Sequence, residues 1–186
     1  MIKKRAFNQK LLLDQLGLSI SKDNYEESIQ KLNQLCVSNP FRTQQFVQVF
    51  INAWCAKILS MLDDKLFDVA SLRIRLLYVV VIYNKAFNKL LTIYFDKINN
   101  SKASPFLENY DRLIYLSMQS QYFYQKGIHD KAEKSVKKCF EELISFFKNK
   151  LEFDDGWLLV RKCLKNIKDK KKAKELLEII LQKFDE

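Results

Sequence analysis

The sequence predicts an all-α protein, on two observations. The 186 residues include only three Gly and two Pro, which sheets and long loops need at their turns and helix interiors avoid. Apolar residues also recur at the three- and four-residue spacings of helices with one buried face. The length is that of one domain with a sizeable core. We therefore predict a single domain over 1–186 with about nine helices, and sub-units 1–100 and 105–186 as a finer division.

The N-terminal third of the chain predicts three helices. Leucines within 11–18 start a short first helix, and Asp23 with Glu26 three residues later resembles a capping arrangement for the second. The second helix stops before Pro40, because proline forces the preceding residue out of the helical conformation. Since proline is tolerated in a first turn, we expect a third helix over 40–64.

The centre of the chain contains its most apolar segment, LLYVVVIY at 76–83. It is far shorter than the roughly 20 residues of a membrane-spanning helix, so it predicts a buried helix, with a strand as the alternative. We expect helices over about 68–83 and 86–94. The sequence leaves open whether the chain turns near Asn84 or continues as one long helix. The stretch 99–105, with Asn, Ser and Pro, is the clearest linker.

The C-terminal part predicts four helices, over about 107–126, 129–150, 155–168 and 170–184. The segment 122–143, YFYQKGIHDKAEKSVKKCFEEL, describes a helix–turn–helix hairpin with a small or apolar inner face. Trp157 lies sixteen residues before Ala173, as Leu116 lies sixteen before Ala132. The same spacing joins the first two predicted helices, between Leu12 and Ser28.

These positions resemble the tetratricopeptide repeat. The positions that match its pattern in order are Leu116, Ser120, Phe123, Gly127, Ala132, Val136 and Cys139. The resemblance implies antiparallel helix hairpins stacked as a right-handed superhelix, and a non-enzymatic adaptor or scaffold that binds another protein. An unrelated helical bundle is the alternative fold.

The resemblance also implies a binding groove, since in that family the first helix of each repeat grips a peptide or a partner's helix. Carried over by position, the groove is formed by Ser117, Gln121, Tyr124, Gln125, Lys162, Lys165 and Asn166, with Met118 and Leu158 beside them. The family's clamp for a terminal carboxylate needs Lys, Asn and Arg at such places, and Ser117, Met118, Gln121 and Gln125 depart from it. The implied partner is therefore a protein with an acidic or amphipathic segment.

A basic run supports a second interpretation. The net charge is +10, and the densest positive stretch contains Arg161, Lys162, Lys165, Lys168, Lys170, Lys171, Lys172 and Lys174. Such a run can contact the phosphates of a nucleic acid, which makes a basic nucleic-acid-associated protein the alternative function. Solvated helix ends around a turn explain the run without any ligand and are the favoured interpretation, and the aromatic residues that stack single-stranded bases are missing from it.

Little in the sequence indicates catalysis or export. The four Cys lie far apart and there is one His, so we predict no metal site, no cofactor and no enzymatic activity. The cysteines are typical of small apolar core residues in a reducing compartment. The basic N-terminus lacks the uninterrupted apolar stretch of a signal peptide. We therefore expect a cytoplasmic protein, with the nucleus as the alternative, and make no prediction of oligomeric state.

Overall fold

The computed structural model describes residues 2–81, 84–101, 107, 109–146 and 154–185. Every regular element among them is helical, which confirms the all-α class. The elements are α1 (Ile2–Ser21), α2 (Tyr25–Ser38), a 3₁₀ turn (Pro40–Arg42), α3 (Thr43–Asp63), α4 (Phe67–Val80), α5 (Lys85–Ser101), α6 (Asn109–Gln125), α7 (His129–Phe146), α8 (Asp154–Leu164) and α9 (Lys170–Asp185). The first helix is longer than the short one predicted. The predicted end of α7 at 150 lies outside the described residues.

The chain divides into two compact units. Unit 1 consists of Met1–Leu77 and Val81–Leu90, and unit 2 of Tyr78–Val80 and Leu91–Glu186. The division therefore runs through α4 and α5, and not through the linker at 99–105 on which the finer sequence division was based. The single domain over 1–186 stays a prediction.

Three helices of the chain end in the same way, with a left-handed residue just after the helix. Gly127 has φ +73°, Asp23 has φ +57° and Lys65 has φ +62°. After α6, the Gly127 amide donates to the Tyr124 carbonyl and the Ile128 amide to the Phe123 carbonyl, the two bonds of a Schellman motif. Equivalent pairs of bonds follow α1 and α3. Only one of these three turns has the glycine that makes such a turn recognisable in a sequence.

The cap of α2 lies one residue later than predicted. The Asn24 side chain accepts from the Glu27 amide (3.1 Å) and donates to the Glu27 carboxylate (3.0 Å), so Asn24 and Glu27 replace Asp23 and Glu26 as the capping pair. Asp23 has another role, because its carboxylate forms an ion pair with Arg73 of α4 at 2.8 Å. The helix ends at Ser38, as Pro40 predicts.

The core of unit 1 is built around Trp54 of α3. Its side chain is completely buried, its indole N–H donates to the Ser28 hydroxyl of α2 (3.1 Å), and the Tyr25 ring lies 5.2 Å away. The guanidinium of Arg73 stands 5.8 Å above the indole. α3 itself begins at Thr43, three residues after the predicted start, because Pro40 opens a 3₁₀ turn.

The chain turns between α4 and α5, which answers the question left open by the sequence. Val81 is extended, with φ −82° and ψ 119°. The Asn84 side chain then accepts from the Phe87 amide at 2.8 Å and caps α5. Its amide group also donates to Gln48 (2.6 Å) and Asn52 (3.3 Å) of α3, which fixes the start of α5. Residues 82 and 83, in which the predicted helix ends, lie outside the described residues.

Unit 2 contains the hairpin α6–α7 and the helices α8 and α9. The predicted inner face of α7 is buried, at Ala132, Val136, Cys139 and Leu143. α8 ends at Leu164, earlier than predicted, because the chain turns where the Asn166 amide donates to the Cys163 carbonyl. Two consecutive helices thus occur at each of the three segments that match the repeat pattern, including α1–α2 in unit 1. Their stacking as a superhelix stays a prediction.

Candidate partner-binding surfaces

The predicted groove residues Ser117 and Asn166 lie inside unit 2. Cys163 of α8 donates to the Ser117 hydroxyl (3.3 Å) and the Asn166 amide group to the Ser120 hydroxyl (2.8 Å). Both contacts join residues 46 positions apart, so α8 and the turn that follows it run in the same direction as α6 here. Because Ser117 and Asn166 are buried, their side chains hold the two helices together and are not available to a partner. Their prediction as exposed groove residues was wrong.

The space in front of Ser117 and Lys162 is occupied by the chain itself. The buried Tyr78, in the last turn of α4, shares a 2.7 Å hydrogen bond with the Ser117 hydroxyl. The Lys162 ammonium donates to the Tyr78 carbonyl and lies 4.1 Å from the centre of the Tyr78 ring. Burial, aided by the positive charge of Lys165 and opposed by Cys163, lowers the pKa of Lys162 to about 8. Lys162 is thus an internal contact of unit 2.

Lys162 should make the stability of the protein depend on pH. Its pKa is about 8 when folded, against 10.5 as the ordinary value, so between these values the unfolded chain binds more protons. The free energy of unfolding therefore increases as pH rises through this window, because the folded protein holds Lys162 as a neutral amine while the unfolded chain still binds the proton. Relative to Lys162→Met, the wild-type free energy of unfolding should rise by about 2 kcal/mol from pH 8 to 10.5. Urea unfolding of both proteins across that range measures the difference.

The exposed Lys138→Met variant is the control for this experiment. Its difference from the wild type should stay flat over the same pH range, because Lys138 is exposed on α7 and is not among the charges that act on Lys162. If the difference in free energy of unfolding between the wild type and Lys162→Met also stays constant with pH, burial does not lower the pKa of Lys162.

The other predicted groove residues lie on the surface of unit 2. Gln121 is half-buried, and Tyr124, Gln125 and Lys165 are exposed. The Gln125 side chain accepts from the Thr92 hydroxyl at 3.3 Å, and the Tyr124 ring lies 5.4 Å from His129. These four remain candidate contacts, but the groove implied by the resemblance is not open along its length.

Apart from Lys162, the basic run is exposed, and it is partly neutralised within the chain. Lys172 pairs with Glu133 of α7 at 3.2 Å, and Lys174 pairs with Glu178 at 3.6 Å. A hydrogen bond from Lys137, with one from Lys172, lowers the pKa of Glu133 despite burial. The exposed residues of the run that form no ion pair in the described part of the chain are Arg161, Lys165, Lys168, Lys170 and Lys171.

A cleft of about 350 Å³ adjoins this run, lined by His129, Asp130, Glu133, Ile167, Lys168, Asp169 and Lys172. The His129 Nδ1 atom is buried there without a hydrogen-bond partner. Acidic and basic side chains alternate around the cleft, so their charges largely cancel. In the described residues, no group of three or more His, Cys, Asp and Glu is placed to hold a metal ion.

An exposed apolar surface on α4 was missed by the sequence analysis. Its members, which we call the α4 stripe, recur at steps of three, three and four residues and are all in unit 1. They are Leu66 (51% exposed), Val69 (38%), Leu72 (40%) and Leu76 (36%). The opposite side of the helix is completely buried at Ala70, Ile74 and Leu77. The available signal was that apolar residues occur on both sides of α4, from Val69 and Leu72 to Ile74 and Leu77, which is unusual for a surface helix.

The α4 stripe is carried by a firmly held part of the helix. Arg73 binds the Asp23 carboxylate through two nitrogens, at 2.8 and 3.0 Å. One turn further, the Tyr25 hydroxyl donates to the Leu76 carbonyl at 3.3 Å. These contacts, together with the buried side of α4, fix the direction in which the stripe faces.

A second apolar feature of unit 1 is the turn that starts α3. Phe41 is fully exposed and Val37, one turn earlier, nearly so. One helical stretch among the described residues, Pro40–Asp63, is long and apolar enough to cross a membrane. This is weak support for a span, because 44% of its most apolar window is buried and Trp54 at its centre belongs to the core.

Comparison with known proteins gave no relative: no family model, no curated protein and no solved structure matches this chain. The described fold and surfaces define an all-α protein of helix hairpins with an exposed apolar helix face. These surfaces are therefore the features of the chain that indicate its function.

Proposed function

We propose that this protein is a non-enzymatic adaptor that binds an amphipathic helix of a partner protein on the α4 stripe. The observation that carries the proposal is the row of exposed apolar side chains from Leu66 to Leu76 on a helix whose other side is buried. A surface helix normally presents polar residues to water, and contiguous exposed apolar residues mark interaction sites. We also propose that the hairpins stack in a tetratricopeptide-like way, which the parallel pairing of α6 and α8 supports.

The shape of the α4 stripe favours a helix as its occupant. The stripe is one side chain wide and follows the axis of α4 over eleven residues, from the capping Leu66 to Leu76. An amphipathic helix with apolar residues at steps of three and four matches this pattern. Complete burial of the stripe would cover roughly 300 Å², below the ~800 Å² that each subunit of a stable complex normally buries. A second copy of this chain therefore fits less well than a partner that binds reversibly.

The charged residues at the beginning of α4 indicate which charge the partner helix carries at one end. Asp64 and Asp68 are exposed there, beside Lys65. A basic residue near one end of the bound helix would pair with these carboxylates and fix its direction, although such exposed pairs add specificity more than affinity. The proposed partner is therefore an amphipathic helix with a basic end. An acidic segment, as first implied by the resemblance, would suit the exposed basic residues of unit 2 instead.

The proposal predicts a large loss of binding when the α4 stripe is charged. Helical peptides that bind the wild-type protein are first selected from a displayed library of amphipathic sequences. Fluorescence anisotropy then compares their affinity for the wild type, Leu72→Glu and Leu76→Glu. We expect at least a tenfold loss for both variants, since a buried carboxylate without a partner costs more than ~1.4 kcal/mol.

Leu181→Glu and Leu11→Glu are matched controls, because both leucines are exposed outside the stripe. They should bind the selected peptides as the wild type does, and thermal unfolding should show all four variants folded. The proposed site would be disproved if the controls lost as much affinity as the stripe variants. It would also be disproved if Leu72→Glu and Leu76→Glu bound the selected peptides as tightly as the wild type. Sedimentation that shows a dimer lost in Leu72→Glu would instead identify a second copy as the occupant.

The alternative function is binding of nucleic acid by unit 2. It is favoured by one observation, the five exposed basic residues between Arg161 and Lys171 that have no acidic partner in the described residues. Salt-sensitive binding of a labelled oligonucleotide, retained in Leu72→Glu, would support it. We propose a cytoplasmic or nuclear location for either function.

A further inference from the structure

The corner between α2 and α3 presents apolar side chains to solvent. Phe41 is fully exposed, and Val37 is 81% exposed. Phe46 and Phe50, which follow on α3, are instead buried in unit 1, at 4% and 1% exposure. The core of unit 1 thus takes up the two neighbouring phenylalanines and leaves Phe41 outside. We call residues 37–42 the α2–α3 corner.

Hydrogen bonds fix the shape of the α2–α3 corner. The Ser38 hydroxyl and the Asn39 amide both donate to the Leu35 carbonyl, at 2.8 and 3.1 Å. The Arg42 amide then donates to the Asn39 carbonyl at 3.0 Å. Leu35 before the corner is completely buried, and Phe46 after it belongs to the core. Because the corner is anchored on both sides, a binding partner meets a preformed surface and little conformational entropy is lost on binding.

Basic residues collect at the end of unit 1 that carries the α2–α3 corner. Helices α1 and α2 pack against each other and are joined by residues 22–24 alone, so they are antiparallel and α1 begins at the same end as the corner. The segments 1–13 and 28–62 contain no Asp or Glu. The basic residues at the start of α1 and in the corner are Lys3, Lys4, Arg5, Lys10 and Arg42. This end of unit 1 therefore combines exposed apolar side chains with an excess of basic residues.

The shape and charge of the α2–α3 corner favour a lipid surface as its partner. A fully exposed side chain at a corner projects from the protein, whereas a bound helix lies in a groove. Single-stranded bases stack on successive aromatic side chains, but the other exposed aromatic residues in the described part of the chain, Tyr124 and Phe146, belong to unit 2. A bilayer with anionic headgroups accommodates both features, because apolar side chains enter the acyl-chain boundary while basic ones stay among the headgroups.

We propose that the α2–α3 corner docks this protein on lipid bilayers that contain anionic phospholipids. Val37 and Phe41 enter the acyl-chain boundary, and Arg42 with the basic start of α1 contacts the headgroups. The docking is peripheral, because Trp54 and Ile58 of α3 are completely buried in the core of unit 1 and that helix does not cross the bilayer. None of the residues involved belongs to the α4 stripe, so Leu72→Glu should leave the docking unchanged.

Flotation of the full-length protein with lipid vesicles tests the docking. The wild type should bind vesicles of phosphatidylcholine and phosphatidylserine about tenfold or more tightly than vesicles of phosphatidylcholine alone, and added salt should weaken the binding. Phe41→Ser should weaken binding to the mixed vesicles by about tenfold or more, since it removes a large apolar side chain from the lipid contact. Tyr124→Ser, which removes an exposed ring of unit 2, is the matched control and should bind as the wild type does.

Tryptophan fluorescence shows whether the corner enters the bilayer. In Phe41→Trp, lipids with brominated acyl chains should quench the new tryptophan, whereas the wild type, with Trp54 buried, should be quenched much less. Equal quenching of both proteins, or equal vesicle binding by the wild type and Phe41→Ser, would overturn the assigned corner. A wild type that binds neither kind of vesicle would overturn the docking itself, even if a variant fails to fold. Binding of a labelled oligonucleotide that is lost in Phe41→Ser, without vesicle binding, would identify a nucleic acid as the partner instead.

Discussion

Replacing Trp54 with alanine should lower the free energy of unfolding by about 3–5 kcal/mol. The side chain is completely buried in unit 1, so its removal leaves a large cavity among α2, α3 and α4. The change also removes the ring contact with Tyr25 at 5.2 Å and leaves the Ser28 hydroxyl without its indole donor. Urea unfolding followed by far-ultraviolet circular dichroism measures the loss.

Phe41→Ala is the matched control for this aromatic truncation. Phe41 is fully exposed, so its removal should change stability by less than ~0.5 kcal/mol. Trp54→Phe separates the two parts of the Trp54 effect, because it keeps a ring in the core and loses the N–H bond to Ser28. If Phe41→Ala destabilises the protein as much as Trp54→Ala, the assignment of Trp54 to the core is wrong.

Local patterns were sufficient to predict much of the fold. The inner face of α7 could be read from its spacing, and Ala132, Val136 and Cys139 are buried as expected. Proline ended α2 as predicted, because its effect on the preceding residue needs no tertiary contact. The class was predictable for a similar reason: composition and period reflect the secondary structure of the chain itself.

The predicted site depended on contacts that a local pattern does not contain. Lys162 and Ser117 were placed by position in a groove, but Tyr78 fills the space in front of them. The partners are 39 and 84 residues apart in the chain. Such a pairing is set by the path of the whole chain, so it could not be inferred from the hairpin alone.

The predictions of a buried α4 and of the cap of α2 were wrong for a different reason. In each case, neighbouring residues were nearly equivalent by residue type. The apolar segment 76–83 predicts a buried helix, but of its adjacent leucines Leu76 and Leu77 only Leu77 is buried. Asp23 and Asn24 are both good caps. The ion pair of Asp23 with Arg73 and its left-handed backbone leave Asn24 as the cap. Tertiary contacts therefore determine both which leucine of α4 is buried and which residue caps α2.

The core of unit 2 has its own aromatic centre at Phe95 of α5, and Phe95→Ala should cost about 3–5 kcal/mol. The side chain is buried, its ring is stacked on Tyr122 at 5.0 Å, and it lies 5.4 Å from Tyr115. Tyr122 in turn donates to the Asp96 carboxylate at 2.7 Å, so the cavity would also disturb a polar contact. The fluorescence of Trp157, which belongs to unit 2, follows the unfolding in urea.

Phe95→Leu divides this effect into volume and ring stacking. Leucine keeps most of the apolar volume, so the loss should fall to about 1.5 kcal/mol. Tyr124→Ala removes an exposed ring of α6 and should cost less than either. This order of effects is required if Phe95 holds α5 against α6 by packing. Equal losses for Phe95→Leu and Phe95→Ala would show instead that the stacked ring itself carries the stability, because leucine restores the volume and not the ring.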